Sequence, residues 1–270
     1  MPQPGLPKLI ATDLDGTLVH SDDTVSAYTH EVLDRVRAAG IRIVGATGRG
    51  PRLAELTRND IRAADFLVLA QGGWVLDQND GRYLRTARLP GSTLAGVLAE
   101  LEASLGPLSV MVEALEHDTA PLWGDIDPTW RYPVAVEERP RTECLTGDVI
   151  KAFVRSFEQD VDDLLAAAQR IVPAGVASVT QAGLNYVEIC PPGVDKGTGL
   201  AVVAESVGVD PADVLVFGDM PNDLPMFAWA GWSRVAVANA HPSILAVADE
   251  VTLTNDEDGV AVYLDRLLSR

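Results

Sequence analysis

The sequence predicts an α/β fold, with a Rossmann-like parallel-sheet core and an inserted α+β domain. Three observations support this prediction. Strand and helix signals alternate through the first third, the same alternation returns in the last third, and the middle third changes to an α+β pattern with hairpins. Nearly continuous apolar runs such as IRIV and FLVLA are typical of strands covered on both faces, and alternating strands and helices predict a parallel sheet.

The first third contains the strands and helices that begin the predicted core. Apolar runs at 8–14, 41–48 and 65–73 predict three strands, and the segments 26–40 and 51–60 predict two helices. Gly40 closes the first of these helices, as glycine often does at a helix end. Such strand–helix units place successive parallel strands side by side.

The last third resumes the same pattern. Leu200, Val203, Ala204 and Val207 form an apolar stripe at helical spacing, which predicts a helix over 196–208 that ends at Gly208. Further strands are predicted at 213–220 and 233–240, and further helices at 222–231, 241–251 and 258–270. These elements complete the predicted core sheet.

The middle third predicts an inserted α+β domain. A hairpin is expected over 74–89 around Asn79-Asp80-Gly81, because Asn and Gly favour tight turns. Helices are then predicted at 92–106 and 161–172, strands at 108–115 and 147–157, an irregular stretch at 117–133, and a strand or hairpin at 177–189. The predicted core therefore comprises residues 1–81 and 188–270, and the inserted α+β domain comprises 82–187.

Composition excludes some classes of partner. The chain has 270 residues, and 39 acidic against 21 basic residues give it a net charge of −18. This charge argues against nucleic acid and against an anionic membrane as main partners. The two cysteines, Cys144 and Cys190, lie far apart, and we find no signal-peptide pattern and no membrane-spanning apolar run. We therefore expect a cytoplasmic protein, and its state as monomer or homodimer stays open.

Four short polar stretches fall where predicted strands end or helices begin. They are DLDGT at 13–17, TGR at 47–49, DKGTG at 195–199 and GDMPND at 218–223. Each has an ordinary structural explanation, as a turn or as a capped helix start. Ligands of open parallel sheets bind at the carboxyl ends of the strands, so the four stretches could instead meet in one crevice.

Together the stretches point to metal and phosphate chemistry. They supply the carboxylates of Asp13, Asp15, Asp219 and Asp223 against only Lys196 and Arg49 as cations. Four clustered carboxylates do not stay ionised together without a divalent cation. Oxygen ligands with no histidine or cysteine nearby favour Mg²⁺. The Thr47 hydroxyl, the Gly48 amide and a lysine beside such a metal would form a phosphate pocket.

In order and spacing, these stretches resemble the motifs of the haloacid dehalogenase superfamily. The run GDMPNDLPMFAWAG and the sequence after it resemble the Cof-type, class IIB branch of sugar-phosphate phosphatases. The resemblance implies that Asp13 is the nucleophile, forming an aspartyl-phosphate, and that Asp15 is the general acid and base. It implies that Mg²⁺ is held by Asp13, the backbone carbonyl of Asp15, and Asp219. Metal binding would keep Asp13 anionic, while repulsion within the cluster and the arriving phosphate would favour a proton on Asp15.

The resemblance also implies roles for the residues around the nucleophile. Thr47 and Lys196 would bind the phosphoryl oxygens, with Gly48, Arg49 and Asn222 as further phosphate-binding residues. Asp223 would orient the metal site or Lys196 from behind. Gln71 stands where the family usually has asparagine, so the contact made by that residue is expected to differ here.

The inserted segment is implied to be a C2B-type cap that closes over the substrate and excludes water. The substrate-specificity candidates are Gln71, Glu113, His117, Trp123 and Arg131, with Glu116, Asp118 and Trp130 as further cap residues that could contact a sugar. Two structural alternatives stay open. Trp123 and Trp130 could fill the cap's own core, and His117 could be an exposed loop residue.

The expected function is that of a Mg²⁺-dependent phosphatase for small phosphate monoesters, most of all phosphosugars. One alternative is a narrow phosphatase of the mannosyl-phosphoglycerate or sucrose-phosphate kind, and another is a phosphomutase. A third is a sensor that binds a phosphate ligand without turnover, although binding alone has no need for the general acid Asp15.

Overall fold

The computed structural model describes residues 5–128, 130, 132, 135–182 and 185–269. The first part of the chain builds one half of the core. Its elements are β1 (Leu9–Thr12), α1 (Ala27–Ala38), β2 (Arg42–Ala46), α2 (Ala54–Asp60), β3 (Phe66–Leu69), β4 (Trp74–Asp77) and β5 (Tyr83–Thr86). The side chain of Ser26 caps α1 by accepting a hydrogen bond from the Thr29 amide, as N-cap serines commonly do.

The cap follows. Its elements are β6 (Leu89–Pro90), α3 (Gly91–Leu105), β7 (Ser109–Glu113), β8 (Leu122–Gly124), β9 (Val136–Glu138), α4 (Arg141–Cys144), β10 (Asp148–Val149), β11 (Lys151–Arg155), α5 (Val161–Ile171), β12 (Ser178–Ala182) and β13 (Tyr186–Cys190). Six of these strands form one sheet in the order β12-β13-β11-β7-β8-β9, which is antiparallel except for the β8–β9 pair.

The chain then returns to the core. The remaining elements are α6 (Lys196–Val207), β14 (Val214–Gly218), α7 (Leu224–Trp229), β15 (Ser233–Ala236), α8 (Pro242–Leu245), β16 (Glu250–Val251) and α9 (Gly259–Leu268). Helix α6 begins with a capping box between Asp195 and Thr198 and ends at Gly208, whose left-handed backbone suits a helix end.

The core sheet has eight strands in the order β16-β15-β14-β1-β2-β3-β4-β5. The strands from β16 through β3 pair in parallel, and β4 and β5 add an antiparallel hairpin at one edge. Every residue of β1, β3 and β14 is buried, because helices cover both faces of these strands. Helix α1 packs against α9, and α6 packs against α7.

The two faces of the cap sheet have different roles. On β11, Ala152 and Val154 point to an apolar core shared with α3 and α5, while Lys151 and Phe153 point to the opposite face. On β13, Val187 and Ile189 join that apolar core in the same way, and their neighbours in the strand take the other face. The second face carries the cap residues that meet the core domain.

The structure confirms the predicted α/β fold and most of the predicted elements. The 74–89 hairpin and the helix after it are present, and 177–189 forms the β12–β13 hairpin. Two predictions are wrong. The helix predicted over 241–251 is only Pro242–Leu245, because the chain joins the sheet edge as β16, and the irregular 117–133 stretch contains strand β8.

The predicted domain boundaries cut through two strand pairings. Strand β5 pairs with β4 in the core sheet although it lies after residue 81, and β13 pairs with the cap strands beyond residue 188. We propose that the cap spans 87–190, since hydrogen-bonded strands belong to the sheet that they extend.

Among the residues that the structure describes, none of the helices has the length and apolarity needed to cross a lipid bilayer.

Candidate active site

Three parallel strands deliver their next residues to the same edge of the core sheet. Asp13 follows β1, Thr47 follows β2, and Asp219 follows β14. The Asp13 amide donates to the Phe217 carbonyl at 3.0 Å, so the nucleophile candidate is held beside β14 by the strand ladder. The crevice predicted at this edge is therefore present.

Lys196 joins this edge from the first position of α6. Its Nζ donates to Asp13 Oδ1 at 2.5 Å and to Asp223 Oδ1 at 2.6 Å, and the side chain is fully buried. A cation at a helix N-terminus opposes the helix dipole. Burial also disfavours the charge, but the Asp13 and Asp223 carboxylates outweigh burial and raise the pKa of Lys196. Lys196 is therefore a permanent cation between two carboxylates.

Asp223 positions its neighbours. Its Oδ2 accepts hydrogen bonds from the backbone amides of Asp219 at 2.9 Å and Met220 at 3.0 Å, while its Oδ1 holds Lys196. The Thr17 hydroxyl donates to Asp219 Oδ1 at 2.7 Å. These bonds orient the Asp219 carboxylate without consuming both of its oxygens.

The residues at this edge fit a divalent cation. Carboxylate oxygens of Asp13, Asp219 and Asp223 lie within 4.8 Å of one another. Burial and the neighbouring carboxylates raise the pKa of Asp13 well above its usual range, and burial with the Asp223 charge raises the pKa of Asp219 to about 6. Three carboxylates thus share one lysine, and a hard cation with oxygen ligands would relieve the excess negative charge. Asp13 and Asp219 would hold it, since Asp223 already uses both oxygens.

Asp15 lies across the cavity in a different environment. Arg49 donates to it twice, from Nε at 2.9 Å and from Nη2 at 2.7 Å, and the Tyr132 hydroxyl donates at 2.9 Å. Arg49 also donates from Nη1 to Asp60 at 2.5 Å. A forked arginine contact favours the ionised carboxylate. Without substrate, these contacts therefore suit the ionised form of Asp15, and Arg49 binds the carboxylates of Asp15 and Asp60.

The remaining predicted phosphate-binding residues line the same space. The Thr47 hydroxyl accepts from the Arg49 amide at 3.1 Å, and Gly48 follows at the cavity surface. Asn222 is buried and donates from Nδ2 to Gln71 at 3.1 Å, whereas its Oδ1 finds no partner among the described residues. An unpartnered buried oxygen beside clustered carboxylates is a further donor atom for a cation or its bound water.

A cavity of about 220 Å³ lies between core and cap. The core lines it with Asp13, Asp15, Gly16, Thr47, Gly48, Arg49, Gly50, Arg52, Asp219, Met220 and Asn222, and the cap lines it with Tyr132, Lys151, Phe153 and Glu188. Sequence reasoning missed Arg52 and all four cap residues. A usable signal existed for Glu188, because it is the one charged residue inside the otherwise uncharged strand β13.

Gln71 connects the core site to the cap. Its backbone has a positive φ of 59°, and its Nε2 donates to Glu188 at 2.7 Å. Lys151 Nζ donates to the other Glu188 oxygen at 2.6 Å and to the Gly48 carbonyl at 2.5 Å. A chain of hydrogen bonds therefore runs from Asn222 through Gln71 into the cap sheet, so the extra methylene of Gln71 reaches a cap residue.

The other predicted specificity residues are placed less favourably. Among the described cavity residues, neither His117 nor Trp123 occurs: His117 is exposed and bonds to the Asp118 carbonyl, and Trp123 packs against the cap core under Arg139. Glu113 is buried behind Arg52, and Arg131 lies outside the described residues. Glu116 pairs with Arg88 at the surface, and Asp118 accepts a long bond from the Glu55 amide.

The two tryptophans agree with the structural alternative. Trp130 makes edge contacts with Phe153 and Tyr186, at ring-centre distances of 5.1 and 5.8 Å, and Trp123 borders the apolar core beneath α3 and α5. Both rings therefore pack mainly within the cap.

Comparisons with known proteins agree with this geometry. The family of haloacid dehalogenase-like hydrolases matches residues 10–264. The chain is 29% identical to a 5-amino-6-(5-phospho-D-ribitylamino)uracil phosphatase, YwtE, of Bacillus subtilis, over 97% of this chain and 98% of that protein. It is 26% identical to a phosphoglycolate phosphatase of Methanothermobacter thermautotrophicus, over 97% and 99% of the two chains.

A solved structure is similar over the same length. It is a haloacid dehalogenase-like hydrolase from Bacteroides thetaiotaomicron, with 29% identity, a TM-score of 0.75, and coverage of 97% of this chain and 99% of that one. Core and cap are therefore shared with this relative. With its family match across nearly the whole length and its carboxylate–lysine site at the sheet edge, this chain belongs to the haloacid dehalogenase-like hydrolases.

Proposed function

We propose that this enzyme is a Mg²⁺-dependent phosphatase that hydrolyses small phosphate monoesters, with phosphosugars as its main substrates. One observation carries the proposal: Asp13, Lys196 and Asp219 meet at the edge of a cavity that the cap covers. A nucleophilic carboxylate, a fixed cation and a metal-binding carboxylate are what phosphoryl transfer through an aspartyl-phosphate needs.

In this mechanism Asp13 attacks phosphorus with the carboxylate oxygen that Lys196 does not hold. The bond from phosphorus to the ester oxygen breaks, and the leaving alcohol takes a proton from Asp15. Asp15 then removes a proton from the water that attacks the aspartyl-phosphate, which releases inorganic phosphate and restores Asp13. When bound, Mg²⁺ would neutralise charge on the transferring phosphoryl group.

The contacts of Asp15 suit the second half of this cycle. Arg49 and Tyr132 hold it as a carboxylate, the form that accepts a proton from water. For the first half Asp15 must carry a proton, which requires Arg49 to give up its forked contact when substrate enters. The cationic Arg49 would then lie close to the incoming phosphate.

The size of the site supports a small substrate. A cavity of about 220 Å³ under a cap fits a compact ester better than a polymer. The relatives named above act on a phosphorylated ribityl compound and on phosphoglycolate, so both a polyol ester and a short acid ester are represented among them.

The decisive test replaces the nucleophile. We expect Asp13→Asn to abolish Mg²⁺-dependent phosphate release from p-nitrophenyl phosphate, since the amide cannot form the covalent intermediate. Asp249→Asn, at an exposed surface ion pair, serves as the matched control and should retain activity. Undiminished turnover by Asp13→Asn would refute the assignment, and isomerised sugar phosphate with little free phosphate would identify a phosphomutase.

A further inference from the structure

Arg52 lines the cavity with hydrogen-bond donors that the described part of the chain leaves unpaired. Its side chain is 2% exposed, and its Nε and Nη1 have no acceptor among the described residues. The nearest carboxylate oxygen, Glu113 Oε2, lies 3.7 Å from Nε and is itself without a hydrogen bond. Buried donors of this kind are rare, and each calls for an explanation such as a ligand.

Neighbouring side chains hold the Arg52 guanidinium in place. Its centre lies 5.3 Å from the centre of the Trp130 ring and 5.9 Å from that of Tyr132, which are cation–π distances. Glu113 is held beside it by a hydrogen bond from the Arg52 amide to Glu113 Oε1 at 3.3 Å. The group is therefore held in place before any substrate binds.

The charge around Arg52 is already balanced. Glu113 offsets Arg52, and Glu188 offsets the neighbouring Lys151 at 2.6 Å. We call these four residues the distal wall, because the described ion pairs join them to one another and not to Asp13. The distal wall therefore has unused donors at Arg52 but carries no net charge.

Resting on the proposed phosphatase function, we propose that Arg52 is a specificity-determining residue that donates to a neutral oxygen of the leaving group. A hydroxyl or carbonyl oxygen would take up the unused donors without adding charge. A carboxylate in the same place would bring an uncompensated negative charge beside Glu113 and Glu188, and desolvating it would be costly. The enzyme therefore prefers phosphorylated polyols and sugars to phosphorylated acids of the same length.

Two substrates of equal length test this preference. Glucitol 6-phosphate ends in a hydroxymethyl group and 6-phosphogluconate ends in a carboxylate, while phenyl phosphate has neither group. We expect the wild type to favour glucitol 6-phosphate over 6-phosphogluconate by about tenfold or more in kcat/KM, the scale of one unfavourable buried charge. Equal rates, or a preference for the acid, would overturn the proposal.

Removing the Arg52 donors should slow the hydrolysis of glucitol 6-phosphate and leave that of phenyl phosphate nearly unchanged. Because Arg52→Met by itself leaves Glu113 buried and unpaired, the test variant is Arg52→Met with Glu113→Gln, which keeps the wall neutral. We expect kcat/KM for glucitol 6-phosphate to fall about 10- to 100-fold, chiefly through KM, with phenyl phosphate within about threefold of the wild type. An equal loss on phenyl phosphate would indicate a merely structural role and would overturn the proposal.

Glu113→Gln alone tests the charge balance. It leaves Arg52 in place with an uncompensated positive charge, so the preference should move toward 6-phosphogluconate. Arg139→Met is the matched control, because Arg139 also stacks on a tryptophan beside a glutamate but does so at the cap surface. It should behave as the wild type does.

The same assays separate this inference from the function on which it rests. Phosphate release from phenyl phosphate with Mg²⁺ supports the phosphatase whatever Arg52 does. Its absence from the wild type, with all three substrates, would overturn both proposals.

Discussion

Gly16 shows how one residue can depend on the buried acidic cluster. Its φ is +83°, and a Cβ atom at this position would lie 2.6 Å from Asp219 Oδ2, far inside van der Waals contact. Gly40 has the same φ of +83°, but a Cβ atom added there would meet none of the described residues within 4 Å beyond its own chain neighbours. The two glycines therefore differ only in their surroundings.

We expect Gly16→Ala to lose most Mg²⁺-dependent activity, because the added methyl group displaces the Asp219 carboxylate. Gly40→Ala should cost about 1 kcal/mol of stability, through backbone strain alone, and keep its activity. Thermal unfolding and the Mg²⁺ concentration for half-maximal rate measure the two effects. Equal Mg²⁺ dependence in both variants would contradict the role given to Asp219.

At the residue scale, the sequence predicted the site residues that belong to short motifs. Asp13, Lys196 and Asp219 could be placed at one edge because each follows or begins a recognisable element. Arg52 could not, since its role depends on Trp130, Tyr132 and Glu113, which are far away along the chain and are brought together only by the cap. The ion pair between Arg49 and Asp15 was missed for the same reason. Arg49 belongs to a recognisable motif, but its two hydrogen bonds to Asp15 form only when the chain folds.

At the element scale, strands β11 and β13 join the two domains. Lys151 and Glu188 point to the core side of the cap sheet, and Lys151 reaches the Gly48 carbonyl in the loop expected to bind phosphate. Both side chains are buried. Their contact links the position of the cap to the geometry of that loop.

Breaking this contact should destabilise the cap–core arrangement. We expect Lys151→Met to cost about 3–5 kcal/mol of unfolding free energy, because it leaves Glu188 buried without its cation. Adding Glu188→Gln should recover a large part of that loss, since the uncompensated charge is then removed. Denaturant unfolding of the single and double variants measures both effects.

The control for this prediction is Lys8→Met. Lys8 also pairs with a carboxylate, Asp213 at 2.7 Å, but it does so at the protein surface. The unfolding midpoint of Lys8→Met should match that of the wild type, because exposed ion pairs contribute little to stability. If the double variant were no more stable than Lys151→Met, charge burial would not be the cause of the loss.

Elements with strong periodicity were predictable, and short strands were not. Helix α6 shows an apolar stripe and a closing glycine, whereas β8 has three residues and β16 only two. Strands this short exist because a neighbouring strand offers hydrogen bonds, as β15 does for β16. The local sequence does not show which strand will lie beside it. The pattern at 241–251 therefore predicts one long helix, although its last two residues pair with β15 in the sheet.

For the whole molecule, acidic groups fall into two sets with opposite pH effects. Surface aspartates such as Asp249 and Asp265 are hydrogen-bonded to arginines, which lower their pKa below the usual value near 3.8. Burial raises the pKa of Asp13, Asp219 and Glu113 instead. The first set changes protonation below about pH 4 and the second set above it, so a scan from about pH 4.5 to 7 reports mainly on the buried set.

For the buried set, the direction in which stability changes with pH follows from proton binding. With Mg²⁺ chelated, the pKa of Asp219 is about 6 in the folded state and near 3.8 in the unfolded state, so the folded state binds more protons between these values. Stability from this group is therefore present below about pH 4 and is lost as pH rises through about 6, a change of about 3 kcal/mol. His30 acts in the opposite sense, because burial lowers its pKa and low pH then favours the unfolded state.

Comparison with Asp219→Asn isolates the carboxylate from His30. In chelator, we expect the stability of the wild type to fall relative to that of the variant as pH rises from about 4.5 to 7, because only the wild type loses a proton at this position. Saturating Mg²⁺ should remove the fall, since the cation replaces the proton as the partner of the carboxylate. Denaturant unfolding with and without Mg²⁺ measures the difference. Parallel pH curves for the two proteins in chelator would show that Asp219 titrates normally and that the acidic cluster carries no excess charge for a metal to relieve.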